Sequence, residues 1–132
     1  MSRLQERIEN FNKAFDLYEQ AHNAYCSDKA NKIYHLALIQ SFEIVFELGW
    51  KCLKDYLSEK GINAYTPRDV IKEAFSANIL PQAQIWIDMM GDRNLSSHEY
   101  NEDSVLLIIE QIGSIYFEEL FRFNKWLEEV CE

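Results

Sequence analysis

The stretch Ile33-Tyr34-His35-Leu36-Ala37-Leu38-Ile39-Gln40-Ser41-Phe42-Glu43-Ile44-Val45-Phe46-Glu47-Leu48-Gly49-Trp50-Lys51-Cys52-Leu53 is too long for a strand and carries no alternation of period two. Its polar positions are orderly instead: Gln40, Glu43, Glu47, Lys51 and Lys54 step by three or four along one narrow stripe, with apolar residues filling the rest of the circumference. That pattern predicts a helix from about 29 to 59, with Ser27 and Asp28 available as caps and Gly61 after Lys60 as its end. A helix wet on so little of its surface must be covered on several sides. Neighbouring helices in a bundle supply such cover, and so does a second subunit.

Working outward, Leu4, Ile8, Phe11, Phe15, Tyr18 and Ala21 mark an amphipathic first helix over about 3 to 25. Downstream, Thr66-Pro67-Arg68-Asp69 is a helix start with a mechanism. Thr66 caps, Pro67 takes the first helical position, and Asp69 complements the positive helix end. Val70, Ala74 and Phe75 are expected to face inward on this short helix. Pro81 opens a fourth helix, with Ile85, Trp86, Met89 and Met90 turned to the core. Asn101-Glu102-Asp103 starts a last helix of about 104 to 130, carrying Val105, Ile108, Ile109, Ile112, Ile115, Tyr116, Leu120, Phe123 and Leu127. No β pattern, repeat or linker interrupts the series. The fold class expected is all-α: one domain over 1–132, an antiparallel bundle of four principal helices with one additional short helix.

With 132 residues, 48% hydrophobic content, four Gly and two Pro, the chain is long enough for a real core and poor in turns. Its formal net charge of −9 disfavours nonspecific affinity for phosphate backbones, so any RNA contact needs a local cluster or a recruiting partner. Cys26, Cys52 and Cys131 are far apart, odd in number and without metal-ligand spacing, which suits a reducing compartment and reads as packing. There is no Gly-rich phosphate loop, Cys/His cluster or nucleophile elbow, so neither a metal nor a cofactor is expected. The longest strongly apolar run, Val105 to Ile109, is far short of the approximately 20 residues of a membrane span, so the expectation is a soluble, cytoplasmic protein. His22 and His35 have no partners nearby in sequence and read as structural.

Chemistry concentrates in Gly91-Asp92-Arg93-Asn94-Leu95-Ser96-Ser97-His98-Glu99-Tyr100. On a regular helix Arg93 and His98 would point about 140° apart and Tyr100 roughly opposite His98, so aiming all three at one point requires a bend. Asn94, Ser96 and Ser97, which compete for backbone hydrogen bonds, fit one. The plain alternative is a polar interhelical loop with a helix-terminal Arg. On the long helix, Glu47 with Lys51 at i,i+4 reads either as a solvated ion pair or, with Glu43, as the lining of a pocket that orients a basic group. Spacing leaves both open.

Arg93-Asn94 followed by His98 and Tyr100 resembles the Arg-x4-His-x-Tyr signature of the HEPN superfamily, specifically its HepT-like branch, also described as nucleotidyltransferase substrate-binding proteins. Gln40-Ser41-Phe42-Glu43 with Phe46-Glu47-Leu48-Gly49-Trp50-Lys51 resembles that family's second helix, and Thr66 to Phe75 its third. Trp86 ahead of Met90 and Arg93 also fits, and the similarity spans roughly residues 5 to 125. The resemblance implies a metal-independent endoribonuclease toxin that acts at a homodimer cleft and is held down by a separately encoded minimal nucleotidyltransferase. RNA cleavage of this kind needs a base for the 2′-hydroxyl proton, an acid for the leaving 5′-oxygen and a cation for the charge on phosphorus. His98 suits the first two roles and Arg93 the third, two copies in a dimer supplying both histidines. Asn94 would orient the phosphate or Arg93. Tyr100 would stack on a base or accept AMP from the partner. The alternative is a non-catalytic substrate-binding or scaffolding subunit of a two-component nucleotidyltransferase. This chain is not itself the transferase, because Gly113-Ser114 is not followed by Asp-x-Asp.

Overall fold

A computed structural model describes residues 2–95 and 102–130, with the backbone alone at Glu102. Every regular element among the described residues is a helix: α1 (Arg3–Ser27), α2 (Lys32–Glu59), α3 (Pro67–Ser76), α4 (Ala83–Asp92), α5 (Glu102–Ile112) and α6 (Ile115–Val130). The all-α bundle expected from the sequence is the fold observed, with α3 as its additional short helix.

Helices α1 and α2 run antiparallel along their whole length. Arg7 Nε meets Asp55 Oδ2 at 2.9 Å at one end, Tyr18 and Phe42 pack with ring centroids 6.4 Å apart in the middle, and Tyr25 and His35 do so at 5.9 Å at the other end. Every apolar residue expected on the inner face of α1 is buried, because steps of three and four keep them on one side. Gly49 sits where the helices crowd. A Cβ there would lie 3.3 Å from Phe11 Cε2 and 3.4 Å from Trp86 Cη2, so the missing side chain lets α2 approach α1 and α4 together.

Several local expectations are corrected. The start of α2 is capped by Asn31, whose side chain accepts from the backbone N–H of Ile33 and Tyr34, while α1 continues to Ser27 and Asp28 closes it. An Asx cap two and three residues before those amides wins because it satisfies two orphan donors at once. α4 begins at Ala83, after Pro81, with no side-chain cap at Gln82. Phe75 is exposed and Ile71 takes its inward place beside Val70 and Ala74; Ile115 is exposed as well. Cys26 is exposed and lies 3.6 Å from His22 Nε2, so only Cys52 of the two described cysteines is a packing residue; Cys131 is outside the described residues.

The single last helix expected over 104–130 is instead two, divided at Gly113-Ser114. Tertiary partners stabilise this break. Tyr18 donates to the carbonyl of Ile112 at 2.5 Å, and His22 Nε2 lies 2.8 Å from the carbonyl of Gly113, so α1 meets the two carbonyl groups at the break. Gly113 is required at this contact, since a Cβ would fall 2.6 Å from Tyr25 Cε2. The His22 ring stacks on Phe117 with centroids 3.7 Å apart and ring planes nearly parallel.

Candidate functional site around Arg93

Arg93 is the residue after α4, still in right-handed helical geometry at φ −63 and ψ −17. Where it sits is therefore decided by how α4 is held. Trp86, fully buried, donates from Nε1 to Glu119 Oε2 on α6 at 2.7 Å. Glu119 is itself buried and is engaged by Arg122 through Nε at 2.9 Å and Nη2 at 2.7 Å. A buried carboxylate is costly unless paired, and here both of its oxygens are taken, so Trp86 docks onto a satisfied anion. The hydrogen bonds that Arg122 donates to the Glu119 carboxylate push its guanidinium above its ordinary pKa.

At the far end of α4 the Tyr116 hydroxyl donates to Asp92 Oδ2 at 2.7 Å. Burial first, and then the hydrogen bond to Asp92, push that hydroxyl well above the usual tyrosine range, so it remains a donor at every physiological pH. Tyr116 also stacks on Phe42 of α2 at 5.5 Å. Immediately past Arg93, Leu95 is buried in the core and anchors the exit of the chain.

Across from Arg93 stands α2. Glu47 Oε1 lies 3.8 Å from Arg93 Nε, an ion pair rather than a hydrogen bond at that distance. Glu47 Oε2 accepts from Trp50 Nε1 at 3.0 Å, which fixes the carboxylate's rotamer. Arg93 is 29% exposed, and its Nη1 is buried with no hydrogen-bond partner among the described residues. The i,i+4 pairing of Glu47 with Lys51 is not made; the carboxylate turns to Arg93 and Trp50 instead.

Of the candidate site residues, Arg93 and Glu47 are thus brought together from elements far apart in sequence. Asn94 follows Arg93 and is exposed, Glu43 lies one turn before Glu47 on the same face, and Lys51 one turn after it, both half-buried. His98 and Tyr100 lie outside the described residues. Sequence reasoning missed the roles of Trp50, Asp92, Tyr116 and Glu119. Trp50 bonds Glu47 at a spacing of three on one helix, but for the other three no local signal exists, because an aromatic or a carboxylate on an amphipathic helix announces nothing about a partner more than twenty residues away. No group of three or more His, Cys, Asp or Glu side chains among the described residues is arranged to hold a metal ion, and no described helix is long and apolar enough to cross a membrane.

The outer face of α2 changes character along its length. At about 100° per residue, Ile33, Leu36, Ile44, Glu47, Lys51 and Lys54 all fall within roughly one third of the helix circumference. Ile33 is 73% and Leu36 66% exposed, and Ile44 is exposed as well. Beyond them the face turns charged at Glu47, the point where Arg93 arrives. Beside the apolar half, α2 and α5 enclose a groove of about 770 Å³ lined by Leu36, Ile39, Val105, Leu106 and Ile109, with Lys29, Lys32 and His35.

A family model described as nucleotidyltransferase substrate binding protein like matches residues 6–129. A curated protein named probable ribonuclease HepT, from Haemophilus influenzae, is 31% identical over 88 residues, covering 63% of this chain and 60% of that protein. The match thus spans about three fifths of the relative's length.

Proposed function

Because the chain belongs to the nucleotidyltransferase substrate binding protein like family, in the HepT-like branch of the HEPN superfamily, we propose that it is a metal-independent endoribonuclease that acts as a homodimer. The observation that carries this reading is Arg93 itself: a guanidinium held by α4 and faced by Glu47, at the boundary between the apolar and charged halves of one helix face. The ion pair runs through Nε, and Nη1, buried and without a hydrogen-bond partner among the described residues, is a donor that a phosphate oxygen would satisfy once the guanidinium turns outward. Dimerisation through Ile33, Leu36, Leu106 and Leu107, all exposed, would bury an apolar face that a monomer leaves in water, and would put two Arg93 side chains at the margin of one interface.

In this mechanism His98 of one copy removes the 2′-hydroxyl proton, the other copy's His98 protonates the departing 5′-oxygen, and the arginines stabilise the negative charge that grows on the phosphoryl oxygens. Asn94 orients the phosphate beside Arg93. Tyr100 is the acceptor for AMP from a separately encoded minimal nucleotidyltransferase. The adduct would set a negative charge and an adenosine next to Arg93 and close the cleft to RNA.

Purified protein is expected to cleave single-stranded RNA in EDTA, with Arg93→Ala and His98→Ala each abolishing cleavage at nearly unchanged melting temperature. Equal degradation by wild type and His98→Ala would sink the nuclease reading. Incubation with the cognate transferase, ATP and Mg²⁺ is expected to add AMP to the 93–100 peptide of wild type and not of Tyr100→Phe, read by peptide mass spectrometry.

A second reading, a non-catalytic substrate-binding or scaffolding subunit for that transferase, is favoured by the net charge of −9 and by the family's own description. It predicts a stable complex with the transferase and no RNA cleavage.

A further inference from the structure

A chain of net charge −9 nevertheless carries cations and exposed aromatics along the outer face of α2, the connection that follows it and one stripe of α3. Beyond Glu47 the outer face of α2 carries Lys51 and Lys54, spaced over about 10 Å from Glu47 at 1.5 Å per residue. Lys54 Nζ lies 6.0 Å from the ring centroid of Tyr65, which is 73% exposed in the connection leading to α3. On α3, Arg68, Lys72 and Phe75 follow at i, i+4 and i+7 and so form one stripe, with Phe75 55% exposed. Asp69 and Glu73 on the same helix fall about 100° around from that stripe, and no salt bridge engages Lys51, Arg68 or Lys72 among the described residues.

Burial explains none of this. Val70, Ile71 and Ala74 already dock α3, and Ile62 and Ala64 pack the connection inward, so Tyr65 and Phe75 are left in water by a helix and a loop that are otherwise satisfied. Cations alternating with solvent-facing aromatic rings are the arrangement that holds an unpaired nucleic acid strand: the cations follow the phosphates, and the rings stack on bases of any sequence. A duplex would offer that surface phosphates and riboses but no free base faces.

We propose that Lys51, Lys54, Tyr65, Arg68, Lys72 and Phe75 form the path of a single-stranded RNA leading away from Arg93, with phosphates on the four cations and bases stacked on Tyr65 and Phe75. This rests on the nuclease reading, takes single-stranded RNA as its substrate, and adds the surface the strand follows and the direction in which it leaves the scissile phosphate. It also answers the charge problem, since the strand needs only this strip to be basic.

The test measures binding of a fluorescent 2′-O-methyl oligonucleotide of about 12 nucleotides, which lacks the nucleophilic 2′-hydroxyl and so is not cleaved, by anisotropy over a salt series with the full-length protein. The double variant Lys54→Gln/Lys72→Gln is expected to reduce the slope of log K against log salt by about 1.4, two phosphate contacts at about 0.7 each for a single strand. Tyr65→Ala/Phe75→Ala is expected to weaken binding at least about tenfold with the slope unchanged. Lys13→Gln, on the exposed face of α1, serves as the control that moves neither. All variants alter exposed or half-buried side chains, and thermal melts check that they fold. Both double variants binding as wild type does, in a protein that still cleaves RNA, would overturn the path and leave the nuclease reading standing. Failure of the wild type both to bind and to cleave would remove the nuclease reading and the path with it. Normal RNA binding by the aromatic variant together with loss of the transferase complex would also overturn the path, assigning the face to a protein partner.

Discussion

The hydroxyl of Tyr116 on α6 donates a 2.7 Å hydrogen bond to the carboxylate of Asp92, the last helical residue before Arg93. A bundle helix thereby holds the end from which the candidate phosphate clamp projects. Tyr116→Phe keeps the ring and its stacking on Phe42 while deleting the donor, and leaves a half-exposed carboxylate that water resolvates. The expected loss is about 1 kcal/mol, measured by calorimetry as a fall of a few degrees in Tm. Cleavage of RNA is expected to fall with it, and Tyr116→Phe melting and cleaving as wild type would show that the hydrogen bond positions nothing.

Glu47→Gln isolates charge from shape. The amide still offers an oxygen to Trp50 Nε1, but the ion pair with Arg93 is gone. Stability is expected to change by less than about 1 kcal/mol, because the pair is partly exposed and screened. The cleavage rate is expected to drop between about tenfold and a hundredfold, the range that a small misplacement of a positioned group costs. An unchanged rate would mean Arg93 is placed by α4 alone.

Two glycines should respond in opposite directions to Ala. Gly113→Ala puts a Cβ 2.6 Å from Cε2 and 3.0 Å from Cδ2 of the buried Tyr25 ring, so the ring or the backbone must shift; the expected destabilisation is about 1–3 kcal/mol. Gly91 lies inside α4 with nothing within 4 Å of an added Cβ, so Gly91→Ala should stabilise by about 0.5–1 kcal/mol through the unfolded chain. Chemical denaturation of the two single variants checks both signs.

Cys52 gives a pH dependence. Burial pushes its thiol up to about 12 in the folded protein. A folded pKa raised above the unfolded value means stability is fully present below about pH 9 and is lost as pH rises towards 12, because the unfolded chain releases the proton first. The upper limit of that loss is on the order of 4 kcal/mol. In Cys52→Ala this contribution disappears: the variant starts about 1 kcal/mol lower at pH 7 from the lost packing and shows a flatter fall between pH 9 and 12, followed by urea unfolding across the range.

Much of the bundle was legible in residue spacing. The inner face of α1, the Thr66-Pro67 start of α3 and the depth of Trp86 and Met89 follow from helical periodicity and from caps that act within three residues. Local boundaries failed where a neighbour in sequence competed, as Asn31 did with Ser27 and Asp28. Phe75 and Ile115 failed for a different reason: hydrophobicity shows that a side chain gains from burial, while exposure depends on whether another element is there to cover it.

By itself, the sequence determined the helices, the class of fold and the place where an Arg, an Asn, a His and a Tyr crowd together, because periodicity, capping and composition are properties of neighbours along the chain. Only the tertiary structure decided that the last helix breaks at Gly113, where Tyr18 and His22 meet its carbonyls, that Glu47 turns from Lys51 to Arg93, and that Asp92 is held by Tyr116. Each of these joins residues far apart in sequence, on or at the ends of different helices. A hydrogen bond or ion pair across such a gap depends on angstrom-scale placement of both backbones, and that placement is set by packing of the whole bundle rather than by any stretch of it.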